Sequence, residues 1–297
     1  METLLADLRY AVRSLRHAPG FTIVAVLTLG LGIGANAAIF SVVNGVLLAP
    51  LPYRNPGELV TVNHFYPSLN NLRAPVSVPG FRDYSARTDL FSAAAVENFQ
   101  GMNLTGSGDP ERITVAKVSG QFFPLLGVVP AAGRALQPDE AQAGKDHVAV
   151  LTWGFWQRKF GGGRDAIGKS ILLNNESYQI VGVMPAAFKD FFAGRTDVYA
   201  PVWFKPEDLA DNRRTNEFLP FIARLAPGVS IEKAQADMHT LAVQLRTQFT
   251  ASYAPDWDLK VTSLAEDGTR NVRSGLLLLL GAVGLVLLIA CANVANL

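Results

Sequence analysis

Two long stretches without a charged residue lie near the two ends of this 297-residue chain. No Asp, Glu, Lys or Arg occurs at positions 18–53 or at positions 274–297. About 20 consecutive apolar residues are enough to cross the roughly 30 Å hydrocarbon core of a bilayer. The sequence therefore predicts two transmembrane helices, over residues 21–48 and 275–297, and the segment between them must begin and end at a membrane.

The first stretch also has features of a secretory signal peptide. Arg13 and Arg16 precede its apolar core, and the triplet at positions 35–37, Ala-Asn-Ala, resembles a small-residue cleavage site. The apolar run continues beyond that site to Leu48, which favours a retained span over a cleaved one.

Residues 1–20 have the pattern of an amphipathic helix. Apolar side chains recur at helical spacing, and Arg9, Arg13 and Arg16 fall in a row beside them. Such a helix would lie on a membrane surface with its arginines near lipid phosphates; the alternative is a solvated leader. Basic residues before a first span favour a cytoplasmic N-terminus. We therefore expect the central domain on the extracytoplasmic side.

Small and amide side chains interrupt both apolar stretches. Glycine and alanine let helices approach closely in a membrane, and an amide in hydrocarbon needs a protein partner. The sequence accordingly predicts helix-packing positions at Gly30, Gly34, Asn36, Ala38, Asn293 and Asn296.

The central segment, residues 54–273, is charge-balanced, with 23 acidic and 23 basic residues. Nucleic-acid binding needs a basic stripe, and none occurs, so nucleic acid is not an expected partner. Predicted strands and helices alternate without a strict βαβ rhythm, which indicates an α+β domain of two lobes flanked by the two membrane helices. The single cysteine, Cys291, lies in the second apolar stretch and leaves this domain without disulfides.

Motifs for catalysis, metals and cofactors are either missing or in the wrong context. The four histidines have no metal-ligand spacing, and no serine lies in a nucleophile motif. Residues 163–170 match the phosphate-binding pattern GxxxxGK[ST], but a helix is predicted before this segment and a strand after it. A phosphate loop requires the opposite order. We therefore expect a helix-to-strand turn at residues 163–170. For the chain as a whole the sequence predicts no bound cofactor or metal and no enzymatic activity.

The chain resembles the permease subunits of MacB/FtsX-type ABC transporters. The resemblance rests on both apolar stretches and on three parts of the central domain, namely residues 29–40, 282–297, 167–174, 178–185 and 223–230. It implies a four-span permease of the bacterial inner membrane with a two-lobed periplasmic core domain. It also implies a second permease copy, a cytoplasmic ABC ATPase and a periplasmic adaptor as partners, and transmission of ATP-driven motion for efflux or export.

The chain departs from that family pattern in two respects. The third and fourth spans are missing, so we expect a permease truncated within its second span. No ATPase is fused to it, and its leader resembles the branch whose ATPase is a separate chain. Two other functions stay open from the sequence, a two-span membrane sensor and a non-functional permease fragment. A membrane-anchored enzyme would need a catalytic set, and the sequence offers no candidate for one.

Overall fold

The computed structural model describes residues 13, 16–69, 71–106, 108–192, 194 and 196–295. Most of the predicted leader, including Arg9, lies outside these residues, and so does Asn296. The chain divides into two compact units. One is the central domain, Leu51–Gly268, and the other comprises the chain before and after it.

Helix α1, Pro19–Val43, begins where the sequence places proline and glycine together. Ala18 is its N-cap, and Pro19 occupies the first turn, where a missing N–H costs nothing. The helix continues as one π-helical segment, Asn44–Leu48. These 30 helical residues rise about 45 Å at 1.5 Å each. Pro50 and Pro52 follow and prevent its continuation.

Helix α6, Leu264–Ala295, is the second apolar helix and has 32 residues. The segments Thr22–Leu48 and Leu264–Val294 have mean hydropathies of 2.1 and 2.8 in their most apolar windows, and both are long enough to cross a membrane. A core helix of a soluble protein would be buried. Here only 11% and 6% of those windows are buried, which fits helices whose surroundings are lipid.

In its described residues the central domain is built on a mixed sheet of 11 strands. The main path runs β11-β1-β10-β3-β4-β9-β6-β8-β5, with β2 beside β1 and with β7 beside β3 and β8. The pairs β4–β9 and β6–β8 are parallel, and the other pairs are antiparallel. The strand bounds are β1 Leu59–Tyr66, β2 Asn71–Ala74, β3 Phe91–Thr105, β4 Glu111–Val118, β5 Ala132–Gly133, β6 Val148–Leu151, β7 Ser170–Leu173, β8 Glu176–Val183, β9 Val198–Pro201, β10 Phe221–Leu225 and β11 Asp258–Ser263.

The first of the two predicted lobes contains β1, β2, β10, β11 and the first half of β3. The second lobe contains the second half of β3 and strands β4–β9. Strand β3 therefore joins the two lobes. Its first half pairs with β10, and its second half pairs with β4 and β7. The sequence predicted two strands here, at 91–99 and 102–105, because Gly101 weakens strand propensity. The structure has a single strand instead. Gly101 pairs in register with Thr114, and a Cβ at this position would lie 2.7 Å from an Arg112 guanidinium nitrogen.

Four helices cover the sheet: α2 Val78–Ser85, α3 Phe122–Leu126, α4 Trp153–Phe160 and α5 Ile231–Gln248. Helix α5 was predicted over 230–249. Ser230 caps it by accepting a hydrogen bond from the backbone N–H of Lys233. The predicted hairpin at positions 174–175 is also observed. Both asparagines have positive φ, as the tight turn between β7 and β8 requires.

The buried side chains form one core in each lobe and a third where the lobes meet. Trp257 and Phe221 belong to the core of the first lobe, and Tyr178 and Trp156 to that of the second. The third core surrounds Tyr199. The α+β class and the two-lobed arrangement predicted from the sequence are confirmed.

Candidate functional site

The two apolar helices pack along a seam with heptad spacing. In α1 the buried and half-buried side chains include Thr22, Ala25, Leu29, Gly32, Asn36, Ile39 and Val43. In α6 they include Leu276, Leu280, Val283, Leu287, Ala290 and Val294. Alternating steps of three and four residues are typical of left-handed helix pairs, in which each side chain enters a gap on the facing helix.

Two contacts define the middle of the seam. A Cβ on Gly32 would lie 3.1 Å from Cδ1 of Leu287 and 3.8 Å from its Cα, so the helices approach closely at this glycine. One turn further, Nδ2 of Asn36 donates to the carbonyl oxygen of Val283 at 3.0 Å and to that of Gly32 at 2.9 Å. Gly32 is beside Leu287, and Asn36, four residues later in α1, contacts Val283, four residues earlier in α6. The two helices are therefore antiparallel.

Four other predicted packing residues lie off this seam. At 100° per residue, Gly30 and Gly34 are about 200° from Gly32, on the far side of α1. Among the described residues, no atom lies within 4 Å of a Cβ built at either position, and Ala38 is exposed. Asn293 of α6 is exposed too. Packing of these four residues on helices of another subunit stays a prediction.

Arg13 and Arg16 are described by the structure, and both side chains are exposed. Contact of these arginines and of Arg9 with lipid phosphates stays a prediction.

Helix α6 is anchored inside the central domain before it becomes apolar. Its first residue, Leu264, is fully buried, and the carboxylate of Asp267, 4% exposed, forms an ion pair with Arg73 of β2. A Cβ on Gly268 would lie 2.5 Å from the ring of Phe191. The described part of α6 contains no proline that would interrupt its hydrogen bonds between this anchor and residue 295.

The segment 186–192, which we call the junction loop, also contacts the start of the domain. The hydroxyl group of Tyr53 donates to the carbonyl oxygen of Lys189 at 2.6 Å. Phe191 of the same loop packs on Gly268. The loop therefore touches the domain residues that follow α1 and those that begin α6.

A buried acid lies behind the junction loop. Glu97 of β3 is 1% exposed, and neither of its oxygens has a hydrogen-bond donor among the described residues. Burial, and then the negative charge of Asp190, raise the pKa of Glu97 well above its usual range. Asp190 accepts hydrogen bonds from the hydroxyl of Tyr199 and the backbone N–H of Phe192. The raised pKa favours the neutral, protonated form of Glu97.

This arrangement predicts a stability that depends on pH. The pKa of Glu97 in the folded chain is raised above its unfolded value of about 4.3. The contribution of Glu97 to folding stability is therefore complete below about pH 4.3 and is lost as the pH rises toward and through the raised pKa. Glu97→Gln keeps the neutral form at every pH. We expect its unfolding free energy, relative to the parent, to improve by up to about 1.4 kcal/mol per pH unit above pH 5.

Thermal or denaturant unfolding of the full chain in detergent between pH 5 and pH 8 measures this difference. Glu207→Gln, at an exposed position, is the matched control and should follow the parent. Parallel pH profiles of the parent and Glu97→Gln would contradict a neutral Glu97.

The segment that matches the phosphate-binding pattern is a turn between α4 and β7. Residues 164–166 form one short 3₁₀ turn, Gly168 has φ +87°, and Ser170 begins a strand. Lys169 lies at the surface and pairs with Asp165 at 2.6 Å. No helix N-terminus follows Lys169 to face a phosphate, as a phosphate loop requires.

We therefore expect Lys169→Ala to leave nucleotide binding unchanged. Titration of a fluorescent ATP analogue into the full chain should give the same signal for the parent and the variant. Saturable binding that is lost with Lys169 would contradict this reading of the turn.

Several buried polar groups of the first lobe pair with one another. His64 lies between Glu217, 2.5 Å from Nδ1, and the hydroxyl of Tyr84, 2.7 Å from Nε2. Arg214, 1% exposed, pairs with Asp83 and Asp211. In the described part of the chain, no three His, Cys, Asp or Glu side chains are placed to hold a metal ion. These groups hold the lobe together.

Comparison with known proteins decides the family. The model of the MacB-like periplasmic core domain matches residues 22–241, which is more than half of the chain. The chain belongs to this family. No curated protein matches it.

Two solved structures share the fold of the MacB-like domain. The periplasmic region of MacB from Actinobacillus actinomycetemcomitans is 13% identical, with a TM-score of 0.51 over 80% of this chain and 98% of that one. A domain of a protein described as a permease, from Porphyromonas gingivalis, is 17% identical, with a TM-score of 0.55 over 71% and 92%. At these identities the likeness is one of fold.

The resemblance to MacB/FtsX-type permeases stated from the sequence is confirmed. The chain is a membrane-associated permease of the ABC transporter type, with a MacB-like periplasmic domain between two apolar helices. Permeases of this type work with ATPase partners, and the permease component is generally not an enzyme.

Proposed function

We propose that this MacB-like chain acts as a permease subunit that couples ATP hydrolysis by a separate ATPase to motion of its periplasmic domain, for efflux or export. The observation that carries the proposal is the continuity of α6. It begins among buried residues of the domain and remains helical to residue 295. Its described portion has an intact backbone hydrogen-bond ladder, so a displacement of its membrane part is passed on with little bending.

The connection through α1 is of a different kind. Its last helical residue, Leu48, is followed by Pro50 and Pro52, and the chain is irregular until the short turn at Pro56–Glu58. An irregular segment absorbs rotation and does not transmit it. The seam centred on Gly32 and Asn36 ties α1 to α6, so α1 steadies the moving helix within the membrane.

Surfaces outside the seam support two further partners, a second permease copy and anionic lipid. Gly30, Gly34 and Ala38 form a small-residue face on the far side of α1, suited to close contact with a helix of a second permease copy. Arg9, Arg13 and Arg16 would hold the leader on anionic lipid at the cytoplasmic surface. A periplasmic adaptor completes the proposed efflux assembly.

The proposed topology places residues 1–20 in the cytoplasm, residues 21–48 and 275–297 in the inner membrane and residues 54–273 in the periplasm. The arginines before the first span support this orientation, because basic residues are retained on the cytoplasmic side.

The proposal is tested by reconstituting the full chain in lipid nanodiscs with an ABC ATPase that lacks membrane spans, from the same organism. We expect the ATPase to hydrolyse ATP several-fold faster with the chain than in empty nanodiscs. A variant in which both Gly30 and Gly34 are replaced by leucine should lose this stimulation if two copies must pair. An ATPase rate that is indifferent to the chain would contradict the proposal.

A further inference from the structure

A cleft of about 220 Å³ lies on one face of the sheet where β3 and β4 run side by side. We propose that this cleft, called here the sheet cleft, binds the carboxylate of a small organic acid or of a peptide C-terminus. The inference goes beyond the permease function and does not depend on coupling to ATP. It rests on the charges, the aromatic side chains and the size of the cleft.

The floor of the sheet cleft is polar because of strand register. Asn98 of β3 is directly opposite Lys117 of β4, so their side chains point to the same face. Gln100 is two residues further along β3 and joins them on that face. The floor therefore offers one ammonium group and two carboxamides on the same face of the sheet.

The wall of the sheet cleft comes from residues 203–218, the irregular segment between β9 and β10. Trp203, Phe204 and Phe218 contribute aromatic surface, and Arg213 contributes a second cation. Aromatic walls with a few convergent polar groups are typical of sites for small molecules. A ligand here would need an apolar body beside its polar end.

The charges of the sheet cleft do not cancel. Neither Lys117 nor Arg213 forms an ion pair with a described residue. The one acidic residue among those that line the cleft, Asp208, already accepts a hydrogen bond from the backbone N–H of Lys205 at 3.0 Å. The cleft therefore has two cationic side chains and one carboxylate that already accepts a hydrogen bond. An anionic group is the complementary ligand. Guanidinium and ammonium groups bind carboxylates through short, charge-assisted hydrogen bonds.

The size of the sheet cleft limits how much of a ligand it can hold. Sites for drug-sized molecules usually measure about 300–1,000 Å³. A cleft of about 220 Å³ has room for a single amino-acid side chain with its carboxylate or for a comparable small acid. The carboxamides of Asn98 and Gln100 could pair with a peptide group next to that carboxylate, which favours a peptide end over an isolated acid.

Calorimetric titration of the full chain in detergent micelles tests the inference with three probes. Acetyl-Ala-Ala-Phe carries a free carboxylate, and acetyl-Ala-Ala-Phe-amide lacks that charge. The third probe, 3-phenylpropanoate, has the aromatic ring and the carboxylate without a peptide group beside it. We expect the free tripeptide to bind at least about tenfold more tightly than its amide, since a hydrogen bond to a charged group is worth about one power of ten or more. Equal affinity for the acid and the amide would overturn the inference.

Two variants locate the site, and the third probe identifies the ligand. Arg213→Gln and Lys117→Gln should each weaken binding of the free tripeptide by about tenfold. Arg213 is exposed, so its substitution keeps the fold, and unfolding midpoints check both variants. Lys260→Gln, an exposed cation on β11, is the matched control and should bind like the parent. Absence of binding, or unchanged affinity in both cleft variants, would refute the site. If 3-phenylpropanoate binds as tightly as the free tripeptide, the site is one for small acids; if it binds more weakly, the site is one for peptide ends.

Discussion

Replacement of Gly32 with leucine is expected to separate the two apolar helices and to lower the stability of the helix pair. A Cβ at this position lies 3.1 Å from Cδ1 of Leu287, and the remaining atoms of a leucine would have to pass its Cα, which is 3.8 Å from that Cβ. Backbone atoms cannot move aside as a side chain can. Overpacking of this kind costs about 1–3 kcal/mol, and the hydrogen bond between Asn36 and Val283 would be strained as well.

Thermal unfolding of the full chain in detergent measures this loss, followed by circular dichroism at 222 nm. Gly32→Ala should have a small effect, because only the flexible end of Leu287 is close to the added methyl group. Gly281→Leu on α6 is the matched control, because no described atom lies within 4 Å of a Cβ built at Gly281 and this residue is off the seam. A Gly281→Leu variant as unstable as Gly32→Leu would contradict close packing of the two helices at Gly32.

The second large effect is expected from Ser274→Pro, which should uncouple the domain from the membrane while leaving both folded. Ser274 is exposed in α6, between its anchor at Asp267 and its apolar portion. A proline there removes the hydrogen bond to the carbonyl of Arg270 and kinks the helix, at a cost of about 3 kcal/mol or more. The helix would then bend where the permease function needs it to be stiff.

With the partner ATPase in nanodiscs, Ser274→Pro should keep most of the ATP hydrolysis but lose the movement of the periplasmic domain that ATP drives. Ser274→Ala, which keeps the helix, should behave as the parent does. If Ser274→Pro moves the domain as far as Ser274→Ala does, α6 is not the element that carries the motion.

Much of the fold could be predicted from the sequence because its signals are local. The absence of charge marked both apolar helices, Pro227-Gly228 and Ser230 marked the start of α5, and paired asparagines marked a hairpin. Strand β3 was harder to predict. Gly101 suggested an interruption, but its suitability for a continuous strand depends on Arg112 of the neighbouring strand. A local pattern carries no information on such a contact.

The helix seam was only partly predictable. The amide of Asn36 donates to the carbonyl oxygen of Val283 in α6, and its packing on helices of other chains stays a prediction. Gly30 and Gly34 form a GxxxG pair, a pattern that predicts close helix packing, whereas the close approach within this chain is at Gly32. Hydropathy cannot separate the faces of a helix that is apolar all round. The heptad spacing of Ala25, Gly32 and Asn36 was the available signal.

The junction between domain and membrane could not be derived from the sequence at all. The ion pair of Arg73 with Asp267 and the packing of Phe191 on Gly268 join residues that are far apart in the chain. Glu97 gave no sign of its burial, because a single glutamate in an alternating strand is normally read as solvent-facing. Only the sheet order places it behind the junction loop, near Asp190.

The central claim is that ATP hydrolysis in the cytoplasm moves the MacB-like domain on the other side of the membrane. Thr240 lies on the exposed face of α5, and a spin label can be attached there in a Thr240→Cys variant. Replacing the native Cys291 with serine keeps the label off that position. The label then reports the distance between two permease copies. Electron–electron double resonance in nanodiscs with the partner ATPase should give different distance distributions without nucleotide and with ATP trapped. Identical distributions in the two states, while ATP is still hydrolysed, would contradict the account.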